Sequence, residues 1–408
     1  MLTSKKPDWV YQAGIFSFLA FSFFSAIFCG QTRVNNLFHI SALLLAMLLL
    51  TRPQQRQRLF ANTAAMAGMA LVLLFLLYYS ISALWGADPG DMASTLTHSG
   101  YILFYLTWLI FLLDGAWRYR LLAAIVAGIT LLCLYLAAFD YPTIYHLRTT
   151  TAVNPGPDNV IDLAGYAAIG ILLSLMIFRD TRRKAALLVI APLFAFMVLT
   201  QSRGPLIALA IALAVTTPYV HLSRNTLFAA AAAMLAVAAA VVFSATGEML
   251  LTRFGELYQQ SFVRMSIWRH SLELISQAPF LGYGVDKQLN FLNYTGELNH
   301  TTHSLYLGAL LKGGLVGFLL FAALLVYGAR LALRHRRNGR RLEAALYLFM
   351  LVFYCSQGMF VIANPAEFWI LFWLPLALVM SQPAGDAVAI SLPGGATPRS
   401  PYRIPGSR

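Results

Sequence analysis

The longest polar stretch of the chain covers residues 247–312 and reads GEMLLTRFGELYQQSFVRMSIWRHSLELISQAPFLGYGVDKQLNFLNYTGELNHTTHSLYLGALLK. Apolar runs joined by short connections make up most of the remaining sequence. Exposed backbone and polar side chains are not tolerated in hydrocarbon, so the chain leaves the membrane here for long enough to build a site. We therefore expect any chemistry of this protein to lie in or beside residues 247–312.

The composition predicts an all-α polytopic membrane protein. Of the 408 residues, 59% are hydrophobic and only 11% are charged, and the mean hydropathy is +0.68. Soluble proteins carry about 25% charged residues, whereas a membrane-spanning helix needs about 20 mainly apolar residues. The three cysteines fall within apolar runs, which argues against a disulfide framework.

Apolar runs predict about 12 transmembrane helices. The candidate spans are residues 12–29, 35–51, 62–85, 98–114, 119–139, 160–178, 184–200, 205–222, 226–246, 313–333, 342–362 and 367–382. They divide the chain into transmembrane helices 1–9 (1–246), a helical loop (247–312), transmembrane helices 10–12 (313–382) and a tail (383–408). The tail is rich in Pro, Gly and Ser, which predicts disorder.

The distribution of Lys and Arg predicts the orientation. With twelve spans, 21 of the 29 cationic residues lie on the side of the two termini. Loops that are rich in Lys and Arg stay in the cytoplasm, so both termini are predicted to be cytoplasmic and residues 247–312 extracytoplasmic. Sorting by loop, rather than clustering on one face, argues against nucleic-acid binding despite the net charge of +13. The eight cationic residues predicted on the extracytoplasmic side are Arg33, Arg148, Arg203, Arg253, Arg264, Arg269, Lys287 and Lys312.

Arg203 lies in the short connection TQSRGP, residues 200–205. Pro205 suits the first turn of a following helix, and the amides and dipole of that helix start would add to the guanidinium charge. This pattern predicts an anion site at the membrane surface. The alternative is an ordinary loop arginine that meets lipid headgroups.

Arg264 and Trp268 are four residues apart, on a helix predicted to end before Pro279 and to lie along the membrane. The planar fork of an arginine suits bidentate phosphate recognition. The alternative is an amphipathic helix whose arginine reaches towards the interface. Arg269 and Trp268 are further candidates for substrate binding.

His303 follows Thr302, a plausible N-cap, and is therefore predicted in a first helical turn. The positive end of a helix lowers a histidine pKa, and a neutral imidazole can act as a general base. The alternative is a histidine that caps the helix or contacts headgroups. His300 does not complete a metal site with it, since no carboxylate or cysteine set accompanies the pair. We expect no metal and no other cofactor, with arginines neutralising any diphosphate.

Two other segments contain candidate residues. The connection from Asp140 to Asn159 holds Arg148 and two prolines. It either lines a sugar or phosphate site or is a plain prolyl loop. Glu367 starts the last predicted span and could reach the same cavity.

Several short motifs follow one another along the chain. They are Ser202-Arg203-Gly204, Arg264-x-x-x-Trp268, PFLGYG at 279–284, HSLYL at 303–307 and GGLVG at 313–317. Together with the predicted architecture they resemble the O-antigen ligase and polymerase superfamily of bacterial inner-membrane glycosyltransferases. The motif identity is confined to residues 200–205 and 253–317, and many relatives have His-Asn where this chain has His303-Ser304.

The resemblance implies a ligase whose donor is a glycan on undecaprenyl pyrophosphate and whose acceptor is the terminal sugar of lipid A–core. Transfer would occur at the periplasmic face, with inversion and without metal. The functional residues of the superfamily carry over as a catalytic His303 and diphosphate-binding Arg203 and Arg264, with Arg148 as a further functional arginine. The chain has no P-loop or dinucleotide fingerprint, in keeping with a donor that is already activated.

Three other functions remain open at this stage. An O-antigen polymerase or a protein O-oligosaccharyltransferase of the same superfamily would differ in its acceptor, and the single polar segment favours the ligase. A transporter or flippase for an anionic lipid would use the same arginines. Transporters place polar or broken helices at mid-membrane, and no charges lie deep in the predicted spans.

Overall fold

The structure, a computed structural model, describes residues 9–216, 245–293 and 296–381, without the side chains of residues 32 and 245–260. In chain order its α-helices are Trp9–Ser25, Thr32–Thr51, Pro53–Ala61, Thr63–Ile81, Asp91–Leu113, Arg118–Phe139, Val160–Thr181, Ala185–Leu188, Ile190–Leu199, Arg203–Thr216, Ala245–Gln277, Leu305–Arg337, Arg341–Phe353 and Leu374–Met380. A 3₁₀ turn covers Ser82–Trp85, and π-helical turns cover Thr143–Leu147 and Trp369–Trp373. Two short antiparallel strands, Phe291–Leu292 and Leu298–Asn299, pair with Phe291 opposite Asn299.

This is the architecture of a multi-pass membrane protein. Among the described residues, six helices are long and apolar enough to cross a membrane: Arg33–Thr51, Thr63–Trp85, Asp91–Leu113, Arg118–Phe139, Val160–Thr181 and Leu305–Arg337. Four shorter apolar helices accompany them. The total of twelve spans stays a prediction, because most of the predicted span 226–246 and the tail 383–408 lie outside the described residues.

Three predicted spans differ from the helices in the structure. The predicted span 184–200 consists of two helices, which meet at Val189. The predicted span 342–362 is helical only from Arg341 to Phe353, after which irregular chain runs towards Glu367. The helix of the predicted span 313–333 already begins at Leu305, because the apolar residues that precede position 313 continue it. The last two differences matter for function, because they place the start of one helix and the end of another beside the candidate site.

The helix Val160–Thr181 forms the centre of the bundle and is buried along most of its length. It packs against the helices Arg118–Phe139, Ile190–Leu199, Arg203–Thr216 and Arg341–Phe353. Small residues permit this close approach: a Cβ added at Gly165 would lie 2.8 Å from Leu371, and one at Gly170 2.9 Å from Leu193. The start of this central helix is thereby fixed among four neighbours.

The long helix Leu305–Arg337 kinks at Gly314, whose φ of 58° and ψ of −162° interrupt the helical backbone. The PFLGYG turn fills the kink, and we call the two together the glycine joint (residues 279–284 and 311–316). Backbone amides and carbonyls freed by a kink must find new partners. Four bonds provide them: Leu315 N to Pro279 O at 2.8 Å, Val316 N to Phe280 O at 3.1 Å, Tyr283 N to Leu311 O at 3.1 Å, and Gly284 N to Lys312 O at 2.9 Å. The joint fixes the end of the helix Ala245–Gln277, hereafter the loop helix, to the long helix.

Glu343 is a fully buried carboxylate (0% exposed) that joins several helix ends. It accepts hydrogen bonds from Arg118 at 3.0 Å, from Arg179 at 2.6 and 2.7 Å, and from Arg340 at 3.0 Å. A buried charge is tolerated only when it is paired and hydrogen-bonded in this way. The network therefore holds the helices that carry these arginines in a fixed relation.

Candidate active site

Three arginines from distant parts of the sequence line one cavity, hereafter the arginine cavity. They are Arg148, Arg203 and Arg264, and Gln201, Ser202, Ser261 and Ser356 contribute polar groups beside them. Each arginine belongs to a different segment, so the cavity exists only in the folded protein. Such a concentration of guanidinium groups is suited to a polyanionic group.

Arg203 begins the helix Arg203–Thr216, with Pro205 in its first turn as predicted. The turn before it is held by Gln201, whose backbone is left-handed (φ 52°) and whose Nε2 donates to Tyr145 O at 3.0 Å. A Cβ added at Gly204 would lie 3.2 Å from Ser356 Oγ, so this helix start packs closely on the segment after Phe353. These contacts fix the position of the Arg203 backbone.

Arg148 follows the π-helical turn Thr143–Leu147 and also has a left-handed backbone, with φ 53°. The Asp140 carboxylate closes this loop by accepting from Thr151 N and Thr151 Oγ1, both at 2.9 Å. Non-glycine residues in this conformation carry strain and are concentrated at functional sites. Arg148 of this segment lines the arginine cavity, and a sugar or phosphate site at this position stays a prediction.

Arg264 lies on the loop helix and is half-buried. Ile267, on the same helix, packs with Ile275, Leu289 and Leu311 in a small apolar cluster, which fixes the rotation of the helix. Burial lowers the pKa of Arg264, and no described carboxylate forms an ion pair with it. A desolvated guanidinium of this kind gains strongly from an anionic ligand.

The structure does not bring Arg269 and Trp268 to the cavity. Arg269 is 83% exposed and pairs with Glu273 at 3.2 Å. It lies five residues after Arg264, which is about 140° around a helix of 3.6 residues per turn. Trp268 shares the face of Arg264, but its ring packs against the apolar cluster around Ile267. Both residues thus support the helix rather than line the cavity.

His303 lines a neighbouring cavity, hereafter the histidine cavity. Consecutive residues line the two cavities at two places: Ile161 lines the first and Asp162 the second, and Ser356 lines the first and Gln357 the second. Glu367 also lines the histidine cavity, so the prediction that it reaches the site agrees with its position.

His303 does not lie in a first helical turn, and that prediction is wrong. Its backbone is left-handed (φ 49°), and the long helix begins two residues later at Leu305. A left-handed residue cannot continue into a right-handed helix. The Thr302 hydroxyl donates to Ser304 O at 2.6 Å instead of capping a helix that contains His303. Gly358 packs directly on His303: a Cβ there would lie 2.4 Å from His303 N.

The expected neutral state of His303 has a different cause. Burial lowers its pKa, and the nearby Arg264 charge lowers it further, against a weaker opposing effect of Glu297. Its Nε2 lies 3.2 Å from Asn299 Oδ1. With Oδ1 as the acceptor, Nε2 carries the proton and Nδ1 keeps its lone pair. The charge of Arg264 therefore acts on the His303 imidazole.

The sequence motifs did not identify several residues of the candidate site. The histidine cavity also contains Asp158, Asn159, Asp162, Gln357 and Gly358. Asp162 accepts from Gln357 Nε2 at 2.9 Å, and both are buried. A carboxylate and an amide within or at the edge of apolar spans are the signal that could have identified Asp162 and Gln357, because such groups are costly in a membrane unless they have a function.

Comparison with known proteins gives a family resemblance. Residues 186–322 match the O-antigen ligase family, and this range contains Arg203, Arg264 and His303. This segment of the chain is therefore similar to the O-antigen ligase family. A curated protein of Pseudomonas aeruginosa named O-antigen ligase is 30% identical over 194 residues, which are 47% of this chain and 46% of that protein. The chain thus spans about half the length of the curated relative it matches, and the resemblance seen in the motifs is confirmed.

Proposed function

We propose that this protein is an O-antigen ligase of the bacterial inner membrane. It transfers the O-antigen glycan from undecaprenyl pyrophosphate to the terminal sugar of lipid A–core at the periplasmic face. The observation that supports this most is the meeting of three arginines from distant segments in one cavity, beside the cavity that contains His303. An anion site next to a base is what displacement of a pyrophosphate by a hydroxyl requires.

The arginines bind the pyrophosphate of the donor. Arg148, Arg203 and Arg264 present planar, permanently charged forks that can each contact two phosphate oxygens. As the glycosidic bond breaks, negative charge grows on the leaving pyrophosphate, and preorganised cations in a partly desolvated site stabilise it. The arginines thereby supply the charge stabilisation that other enzymes obtain from a divalent metal.

His303 removes the proton from the acceptor hydroxyl. The oxygen attacks the anomeric carbon of the donor while the bond from that carbon to the pyrophosphate oxygen breaks, so the configuration inverts. The proton passes to His303 and then to solvent, and undecaprenyl pyrophosphate leaves. The lowered pKa keeps the imidazole neutral and ready to accept.

A transfer assay with purified lipid-linked donor and lipid A–core tests these roles. His303→Ala should lose about 10²- to 10⁴-fold in rate, the usual contribution of a general base. Arg203→Ala should weaken donor binding and transfer, whereas Arg269→Ala, an exposed arginine on the loop helix, should match the wild type. A chelator should leave the rate unchanged. Near wild-type transfer by His303→Ala would refute the base role.

A deletion strain separates the ligase from a polymerase. Loss of all glycan from the lipid A–core identifies a ligase, whereas a single repeat unit on the core identifies a polymerase. A protein O-oligosaccharyltransferase would leave lipopolysaccharide intact, and a flippase would support no transfer in detergent.

A further inference from the structure

We infer that the histidine cavity binds the acceptor through Asp162 and Glu367, and that this acceptor is an uncharged sugar with several hydroxyl groups. A sugar that carries a phosphate is excluded from the cavity. This inference rests on the proposed transfer reaction and adds the position and chemical class of the acceptor. It assigns binding roles to Asp162, which the motifs did not identify, and to Glu367.

The first argument is the separation of charge between the two cavities. Among the described residues, the arginine cavity is lined by three arginines and no carboxylate. The histidine cavity is lined by the carboxylates of Asp158, Asp162 and Glu367 and by no Lys or Arg. A phosphate in a poorly solvated site needs cations to balance its charge, and of the two cavities only the arginine cavity is lined by guanidinium groups among the described residues. The pyrophosphate is therefore confined to the arginines, and the other cavity favours a ligand without negative charge.

The second argument is the unsatisfied hydrogen-bonding capacity of Asp162. Its side chain is 2% exposed and lines the cavity. Oδ1 accepts from Gln357 Nε2, but Oδ2 has no donor among the described residues. Buried carboxylate oxygens normally have donors. Sugar hydroxyls are donors of the required kind, and their bonds to a carboxylate are short and strong.

Glu367 extends this binding surface away from His303. Among the described side chains, its Oε2 receives only the weak Cys29 thiol donor, at 3.5 Å. Glu367 and Asp158 also line a third cavity that contains Gln31 and Asn154. The histidine cavity and this polar cavity thus share two lining residues, and together they present carboxyl and amide groups that could bind more than one sugar ring.

The position of His303 agrees with this arrangement. It shares the histidine cavity with Asp162 and Glu367, and the charge of Arg264 reaches it from the other side. A hydroxyl bound near His303 would face the anomeric carbon of a donor held by the arginines. The carboxylates then hold the remaining hydroxyls of the same sugar. They act as specificity-determining residues, because a phosphate or carboxylate on that sugar would meet their acceptor oxygens and no described cation in the cavity lining.

The test separates acceptor binding from donor binding in Asp162→Asn and Glu367→Gln. Both substitutions keep the shape of the side chain and replace one carboxyl oxygen with an NH2 group, and the amide oxygen introduced by Asp162→Asn would still accept from Gln357. The KM for lipid A–core should rise about tenfold or more, the usual effect of leaving a buried hydrogen bond unmade. The Kd for undecaprenyl pyrophosphate should not change. Glu273→Gln, an exposed carboxylate on the loop helix, is the matched control and should leave both constants unchanged.

Acceptor discrimination gives a second readout. The wild type should use an acceptor with a phosphate on its terminal sugar much less efficiently than the unphosphorylated form, and the Asp162→Asn/Glu367→Gln double variant should narrow that difference. An unchanged acceptor KM together with unchanged discrimination would overturn the inference. The proposed function would fail separately if Arg203→Ala bound undecaprenyl pyrophosphate like the wild type.

Discussion

Replacing Gly358 with alanine should displace the backbone of His303. The new Cβ would lie 2.4 Å from His303 N and 2.9 Å from its Cα. Non-bonded carbon contacts are most favourable at about 3.5–4.0 Å, so the two segments must separate by about 1 Å. A misplacement of about 1 Å can cost about 100-fold in rate, which corresponds to about 2.7 kcal/mol in the barrier. We expect kcat to fall by about this factor.

The assay is transfer of the glycan to lipid A–core by purified Gly358→Ala protein, with donor binding measured in parallel. Gly358 does not line the arginine cavity, so the Kd for undecaprenyl pyrophosphate should stay at the wild-type value. Thermal unfolding in detergent establishes that the variant is folded.

Gly308→Ala provides the control. Gly308 lies in the first turns of the long helix, and a Cβ there would approach no atom closer than 3.4 Å, the distance to Thr302 Oγ1. Its transfer rate should stay within about twofold of the wild type, as for substitutions that disturb no packing. If folded Gly358→Ala transferred glycan as fast as Gly308→Ala, the exact position of His303 would not limit the reaction.

Three further predictions concern charge and backbone. Because burial and Arg264 lower the pKa of His303, and only the neutral imidazole accepts a proton, kcat should rise with pH through that lowered pKa and then level off. Arg264→Gln should move this rise to higher pH and Arg264→Lys should not; coincident pH–rate profiles for the two variants would contradict the electrostatic effect. Glu343→Ala leaves buried arginine charge without its partner and should cost about 3–5 kcal/mol, seen as a lower Tm in detergent; an unchanged Tm would show that the network adds no stability. Gly314→Ala places a side chain at φ 58° and 2.4 Å from Phe280 backbone atoms, which should cost at least about 1–3 kcal/mol; a variant as stable as the wild type would show that the kink can relax.

Local signals in the sequence were sufficient for several features. The proline at position 205 marks the helix start at Arg203, and Pro279 marks the end of the loop helix, because proline restricts the backbone next to it. The apolar runs identify most helices, because helices that are buried in a bundle or in a membrane consist mainly of apolar residues. The order of the motifs was enough to indicate the resemblance to the O-antigen ligase family, whose model matches residues 186–322.

Long-range contacts explain what the sequence did not reveal. The left-handed backbone of His303 is accompanied by contact with Gly358, which is far along the chain, and no local pattern encodes that contact. Arg264 and Arg269 look alike in sequence, but the apolar cluster around Ile267 turns only the first into the cavity. The meeting of Arg148 with Arg203 likewise depends on tertiary packing, including the bond from Gln201 to Tyr145.

The glycine joint has a mechanical consequence for the arginine cavity. It is a fixed pivot at one end of the loop helix, and Arg264 lies about 20 Å from it along the helix axis at 1.5 Å per residue. With a lever of this length, a rotation of about 6° moves Arg264 by about 2 Å. A displacement of that size is enough to break a bidentate contact between an arginine and a phosphate. The proposed contact of Arg264 with the pyrophosphate would therefore depend on the angle at which Pro279–Gly284 packs in the kink of the long helix.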